Sequence, residues 1–454
     1  MGSYVDSLTS SSSPASLATS SPLTTPEPSD DGFEIDGTPS PLVVTNPTGD
    51  NGNQENCPND EFILVIGGLG YIGSHTVLEL LREGHNVLVV DNLSNSYENV
   101  MHNIRILTAS HCKQKGVPVP LLHFHRLDYR SRSMRLLLET YSNLVMEIDA
   151  SGQQTMTYRS RIAGVIHFAA HKSVVESITT PLQYYQNNVC GLVSLLQMLE
   201  KYGIYNFIFS SSATVYGAKA NEGLPLREQD LVHHPEQHID QAGHSIALQP
   251  SVTGLSSPYA RTKYFAEAIL ADVAAANPAW RIVALRYFNP VGCDPSGFLG
   301  ESPRGEATNL YPVLTQVLTG TRPRLDVFGS DWATRDGTAI RDFIHVLDVA
   351  RGHISALAWN ERAEGQGSSF RTFNLGSGNG TTVLEAVQSL EAVAGRKIPI
   401  RWTGRRPGDV GSCVASTERA RAELGWSPRE NIVQCAADLW NFVRKAGLDS
   451  MIKV

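Results

Sequence analysis

Phe62-Ile63-Leu64-Val65-Ile66 is a short apolar run rich in β-branched residues, and it leads straight into Gly67-Gly68-Leu69-Gly70-Tyr71-Ile72-Gly73. An apolar run of this length, stopped by glycine, reads as a strand buried on both faces. Glycines at every third position let the backbone turn tightly and approach a ligand closely, and the helix that follows presents the positive end of its dipole. Strand, glycine turn and helix in that order make a seat for a pyrophosphate. The next apolar run, Asn86-Val87-Leu88-Val89-Val90, ends at Asp91. A carboxylate there accepts hydrogen bonds from ribose hydroxyls and repels a 2′-phosphate, so the bound dinucleotide is expected to be NAD rather than NADP.

The same texture recurs along the chain. Val165-Ile166-His167-Phe168 stops at Ala169, Phe207-Ile208-Phe209 at Ser210, and the run over 282–288 at Asn289, with helical patterns over 76–83 and 264–276. Strands alternating with helices predict an α/β chain on a Rossmann-type, doubly wound parallel sheet covered on both faces. Polar stretches near 110–161, with a helix-like pattern over 134–141, and near 219–256 interrupt this rhythm and read as surface insertions. Residues 1–60 are dominated by Ser, Thr, Pro, Asp, Gly and Asn, and read as a disordered tail.

Bulk properties exclude several classes. The 454 residues carry a formal net charge of −8 and no long run of Lys and Arg, so a nucleic-acid partner is not expected. Six cysteines lie far apart with no Cys-x-x-Cys pair, which predicts no metal site and a reducing, cytoplasmic setting. The amino end has neither a basic start nor an apolar stretch, Asp6 stands where a myristoylation signal wants Ser or Thr, and no run of about 18 apolar residues exists. Neither secretion nor a membrane span is expected.

Two further motifs carry chemistry. Tyr259 and Lys263, four apart in Ser257-Pro258-Tyr259-Ala260-Arg261-Thr262-Lys263, share one helix face. A phenol with an ordinary pKa of about 10 acts as a base near neutral pH only if its anion is stabilised by roughly 4 kcal/mol, which a nearby ammonium and a positive nicotinamide ring can supply. Ser210-Ser211-Ser212-Ala213-Thr214-Val215-Tyr216-Gly217 follows an apolar strand, where open α/β sheets place ligands; Ser212 or Thr214 can bond a substrate hydroxyl there.

The glycine spacing together with the Tyr-x-x-x-Lys pair resembles the extended short-chain dehydrogenase/reductase family. Asp91-Asn92-Leu93-Ser94-Asn95-Ser96, Phe168-Ala169-Ala170-His171-Lys172, Tyr185-Gln186-Asn187-Asn188, Arg286-Tyr287-Phe288-Asn289-Pro290-Val291-Gly292, Asn309-Leu310, Arg341-Asp342-Phe343-Ile344-His345-Val346 and Arg405-Arg406-Pro407-Gly408-Asp409 follow the order seen in its nucleotide-sugar 4-epimerases, from Phe62 to the carboxyl end.

That resemblance implies reversible interconversion of UDP-galactose and UDP-glucose through a 4-keto sugar with firmly held NAD. It makes Tyr259 the base, Lys263 its electrostatic partner and Ser212 the hydroxyl partner. NAD would lie against Gly67, Gly70, Tyr71, Ile72, Gly73, Asp91, Asn92, Asn95, Ser96, Asp128, Phe168, Ala169 and Asn187, with Lys172 and Phe288 bordering the nicotinamide. UDP would be gripped by Asn289, Asn309, Leu310, Asp326, Phe328, Arg341, Arg406 and Asp409. Cys413 stands where some relatives carry tyrosine, leaving room for the 2-acetamido group of UDP-GalNAc and UDP-GlcNAc, while Phe343 lacks a hydroxyl that a tyrosine there would offer. The implied division is an NAD domain over 61–288, rejoined by about 339–376, and a nucleotide-sugar domain over 289–338 and 377–454, in a homodimer. A 4,6-dehydratase would need further acid and base groups, and Ser212-Ala213-Thr214-Val215 offers no carboxylate for them.

Overall fold

The five apolar runs all form strands of one parallel sheet. The structure, a computed structural model, describes residues 61–452 apart from 149–152, 224, 240–242, 253, 306, 363–368 and 407–408; the expected disordered tail lies outside the described residues. The strands, in chain order, are β1 (Phe62–Ile66), β2 (Asn86–Asp91), β3 (Leu122–Arg126), β4 (Ser142–Ile148), β5 (Gln154–Ser160), β6 (Ile162–His167), β7 (Asn206–Ser212), β8 (Glu236–Ile239), β9 (Ser245–Leu248), β10 (Arg281–Tyr287), β11 (Asn289–Val291), β12 (Leu325–Phe328), β13 (Ile340–His345), β14 (Ser369–Leu375), β15 (Gly380–Thr382), β16 (Ile400–Thr403) and β17 (Ser412–Cys413). The helices are α1 (Tyr71–Arg82), α2 (Asn99–Lys115), α3 (Arg132–Thr140), α4 (Val174–Thr179), α5 (Pro181–Tyr185), α6 (Gly191–Lys201), α7 (Pro258–Ala276), α8 (Leu310–Leu318), α9 (Val346–Arg362), α10 (Val383–Ala394) and α11 (Ile432–Ile452).

The large sheet has the order β14-β10-β7-β6-β1-β2-β3. Strand parity divides its core. Ile63 and Val65 pack with Val77 and Leu81 of α1 and Ile104 of α2, whereas Phe62, Leu64 and Ile66 pack with Leu138 of α3, Leu195 of α6 and Leu270 of α7. With both faces buried, each strand reads as a continuous apolar run. The chain winds from β1 outward to β3 and then returns to the other side of β1 at β6. That reversal opens a crevice beyond the carboxyl ends of β1 and β6, where open α/β sheets bind ligands. A smaller sheet, β11-β13-β15 with β17 on β13, and the pair β12-β16 lie over a third core that includes Leu314, Phe343 and Leu390. Ile340–His345 belongs to this smaller sheet, and the large sheet is rejoined at Ser369–Leu375.

Both expected insertions are only partly superficial. Within 110–161, β3 pairs with β2 as the edge strand of the large sheet and α3 buries Met134 and Leu138; the excursion proper is the hairpin β4–β5, which leaves Leu144, Met146 and Ile148 exposed. Within 219–256, Leu226 and Leu231 are buried, and Leu226 bonds through its backbone to Val414 and Ser416. The hairpin β8–β9 lies outside, with Ser245, Ile246 and Ala247 exposed. Single apolar anchors in polar surroundings have no periodicity to reveal them. Leu226→Ala is therefore expected to cost about 2–5 kcal/mol in thermal or denaturant unfolding, while Ile246→Ala on β9, 45% exposed, stays within about 0.5 kcal/mol of the parent; equal effects would contradict this division.

Candidate active site

The glycine turn is built for close approach. Gly67 adopts φ +78°, and a Cβ there would lie 2.8 Å from the backbone nitrogen of Ala169; at Gly73 it would lie 2.3 Å from the Gly67 carbonyl oxygen. Gly70, the residue that begins α1, meets only the Gly67 oxygen at 3.4 Å, and no side chain caps the helix. The start of α1 thus keeps its amides for a ligand, as a pyrophosphate seat requires. Asp91 ends β2 with its carboxylate accepting from the Leu69 and Leu93 amides, at 3.0 and 2.8 Å, and from the Ser96 hydroxyl at 2.9 Å. It therefore fixes the glycine turn itself, besides being placed for a ribose. Leu93 takes φ +61°, a conformation uncommon outside glycine and one that marks an over-determined functional turn.

Other expected cofactor residues surround this turn. Tyr71 gives its hydroxyl to the Gly292 carbonyl at 2.6 Å, which leaves only its backbone for phosphate, and Ile72 packs into the core beside α1. Asn92 and Asp128 hydrogen-bond one another, and Asp128 also holds Arg130; burial raises the Asp128 carboxyl, but these bonds outweigh it and the net shift is downward. Phe168 packs against His353 with ring centroids 4.6 Å apart and the planes tilted by 49°. Asn187 bonds Asn188 at 2.8 Å, and Lys172 reaches Glu301 at 3.3 Å. Asn188, not singled out from the sequence, matters more to the shape: its amide bonds both the His171 carbonyl and the Thr262 hydroxyl, tying the loop after β6 to α7. It sits in a π-helical turn over Gln186–Cys190, a distortion frequent at functional sites.

Tyr259 and Ser212 meet at the carboxyl end of β7. Thr214 donates to the Ser212 oxygen at 3.0 Å, which leaves the Ser212 proton for the Tyr259 oxygen. Burial pushes the Tyr259 phenol above its ordinary value, and the Ser212 bond pulls it back only in part. Lys263, one turn further along α7, donates to the Ser210 carbonyl at 2.5 Å and lies 4.7 Å over the Phe209 ring, while burial lowers its ammonium to about 7, opposed by Glu267. The chain alone therefore favours the neutral phenol.

Below Lys263, one helical turn on, lies a network that sequence patterning did not reveal. Glu267 accepts from Arg286 of β10 at 2.7 Å, from His233 at 2.8 Å and from the Ser211 hydroxyl. Burial raises the Glu267 carboxyl, but Arg286 and His233 outweigh it and hold it well below the carboxylate range. A glutamate on a helix reads from sequence as a solvated surface group; only the strand pairing that places Arg286 beside Ser211 identifies it.

The expected nucleotide residues form a chain of contacts at the smaller sheet. Arg406 lies over the Phe328 ring at 4.4 Å and bonds Asp409 at 2.9 Å; Arg341, 3.8 Å from Asp409, pairs in register with Cys413. Cys413 packs in the same apolar cluster as Phe288, and burial raises its thiol to about 11, so it stays neutral. Asn289 donates to the Asp342 carbonyl at 3.0 Å. Asn309 begins α8 without spending its side chain on the helix, and Leu310 packs against the third core. Asp326 is engaged by Arg401 in a two-pronged pair at 2.7 Å. Phe343 is buried and packs edge-on against Tyr311, which accounts for an apolar ring at this position.

Residues 63–376 match the family described as NAD dependent epimerase/dehydratase. UDP-glucose 4-epimerase 2 of Arabidopsis thaliana is 41% identical over 380 residues, covering 84% of this chain and 94% of the relative. Among solved structures, the UDP-glucose 4-epimerase of Stenotrophomonas maltophila with bound NAD and formylated UDP-arabinopyranose is similar at TM-score 0.70 and 36% identity, over 86% of this chain and 99% of that one. The Bifidobacterium longum UDP-glucose 4-epimerase in complex with NAD+ and UDP is similar at 0.69 and 35%, over 85% and 99%. Glycine turn, Tyr259–Ser212–Lys263 cluster and these similarities agree: the chain belongs to the NAD dependent epimerase/dehydratase family, among the UDP-glucose 4-epimerases of the extended short-chain dehydrogenase/reductases.

Proposed function

We propose that this chain reversibly interconverts UDP-galactose and UDP-glucose in galactose metabolism, with NAD kept bound as a prosthetic group. The observation that carries the reading is Tyr259 on α7, with Ser212 acting on its phenol and Lys263 one helical turn on, at the sheet end that also carries a turn admitting a pyrophosphate. The glycine turn, Asp91, Asn92, Asn95, Ser96 and Asp128 would hold NAD, which would supply reversible hydride transfer at the sugar's C4. Tyr259 takes the proton of the 4-hydroxyl and gives it back on the other face. Ser212 holds the phenolic oxygen, and the Lys263 ammonium stabilises its anion. Arg341 and Arg406 suit the diphosphate, since planar guanidinium forks make charge-assisted bonds to its oxygens, and Phe328 offers a ring face to the base. A strongly held UDP and a weakly held hexose let the 4-keto sugar turn over between the two transfers.

The same reading extends to assembly and place. Val174, Val175 and Ile178 of α4, Leu182 of α5 and Phe265 of α7 are exposed on helices that pack together, and this face suits a homodimer. The five cysteines among the described residues are free thiols, in keeping with a cytoplasmic enzyme.

Tyr259→Phe is expected to slow conversion of UDP-galactose to UDP-glucose by at least about 10²-fold, followed by chromatography of the nucleotide sugars, while NAD content stays unchanged; full-speed turnover would overturn the assignment. Cys413→Tyr fills the space beside Phe288, so activity on UDP-GalNAc is expected to fall at least about tenfold while that on UDP-galactose is kept; if both fall together, Cys413 does not line the sugar pocket.

A further inference from the structure

The segment from Gly292 to Arg304 makes side-chain contacts far beyond its own sheet. Gly292 accepts from Tyr71 at the start of α1 at 2.6 Å, and Asp294 pairs with Arg82 at the end of α1 at 2.9 Å. Phe298 gives its carbonyl to Asn103 of α2 at 2.8 Å. Glu301 then pairs with Lys172, which follows β6, at 3.3 Å. Three residues later Arg304 meets the loop after β2 in three ways: its amide bonds the Asn95 side chain at 3.2 Å, its Nε donates to the Ser96 carbonyl at 2.9 Å, and its guanidinium lies 4.4 Å over the Tyr97 ring.

Sheet order turns these contacts into a position. β6 and β2 flank β1 on its two sides, and β1 ends in the glycine turn. A stretch tied at one end to the loop after β6 and at the other to the loop after β2 must pass over the end of β1. The two flanking strands are about 9.5 Å apart, and three extended residues reach about 10–11 Å, so a stretch as short as 301–304 is long enough to cross that gap. Pro303 lies within it and removes backbone freedom. The loop on which Arg304 closes is also the one whose Ser96 hydroxyl bonds Asp91.

We infer that 292–304 is a clasp across the dinucleotide seat, with Arg304 and Asn103 as positioning residues that keep NAD from leaving between catalytic cycles. This rests on the epimerase reading above, in which hydride must return to the sugar from which it came. A cofactor that is never exchanged needs a barrier to departure, and the clasp supplies one made of several modest contacts: charge-assisted bonds, an exposed ion pair and a cation–π contact.

The test is retention of NAD by the full-length protein. Parent, Arg304→Ala and Asn103→Ala are loaded with NAD and passed through an NAD-free sizing column, and release is followed with a dehydrogenase that consumes free NAD; melting midpoints of the NAD-stripped proteins are compared in parallel. The parent is expected to keep close to one NAD per chain, and each variant to release it about tenfold faster with an unchanged stripped midpoint; Arg304→Lys should recover part of the loss. Parent-like release in both variants overturns the clasp and leaves the epimerase reading standing. Faster release with a matching fall in the stripped midpoint also overturns it, because the residues then serve stability alone. A parent that loses its NAD on the column overturns both.

Discussion

A carboxylate cut off from water holds the catalytic helix in place. Glu267 on α7 has no solvent access and receives Arg286 from β10, His233 from the segment between β7 and β8, and the hydroxyl of Ser211 on β7. Removing Arg286 leaves an uncompensated buried charge, which costs several kcal/mol, on the order of 3–5. Three elements are thereby locked together at the carboxyl end of the sheet. Because Lys263 precedes Glu267 by one helical turn and Ser212 follows Ser211, fixing this pair also fixes the Lys263 ammonium and the hydroxyl beside Tyr259. The register of β7 with β10, Ser211 opposite Arg286, brings the partners together.

The cost of this dryness falls on the reactive groups. Burial pushes the Tyr259 phenol up and the Lys263 ammonium down, which is the direction opposite to the one acid–base chemistry needs from each. A single ammonium four residues away does not decide the issue here, since Lys263 bonds the Ser210 carbonyl. On the proposed function, the charge of an oxidised nicotinamide would add to that of Lys263 in favouring the phenolate, so the power to take a proton would be coupled to occupancy by the cofactor. Such coupling gives the neutral phenol when no hydride acceptor is present, and it makes retention of the cofactor a condition of every turnover.

Much of this was legible in the sequence, and the limits of legibility are physical. β1, β2, β6, β7 and β10 were readable because strands buried on both faces are continuous apolar runs, and the glycine turn because close backbone approach admits no side chain at Gly67 or Gly73. The Tyr259–Lys263 pair was readable from helical spacing, and the strand end pointed to Ser212 or Thr214, of which the resemblance selected Ser212. β3 was hidden in a polar stretch because an edge strand, His123 and His125 included, need not be apolar throughout. Glu267, Arg286 and His233 were hidden because their meaning lies in contacts between distant segments, and Arg304 because it meets Asn95 and Ser96 more than 200 residues away in the chain. The nucleotide-side residues came from resemblance alone; their mutual contacts, such as Arg406 over Phe328, are a property of the fold.

The central claim is that the ligand's charge, more than Lys263, makes Tyr259 a base. It is tested most directly by ultraviolet titration of the phenol, taken as the difference between the parent and a Tyr259→Phe reference, once with the cofactor stripped and once loaded with NAD+. Stripped protein is expected to titrate above the ordinary value near 10 and loaded protein at a lower pH than stripped. A phenol that ionises at the same pH in both states would contradict the account.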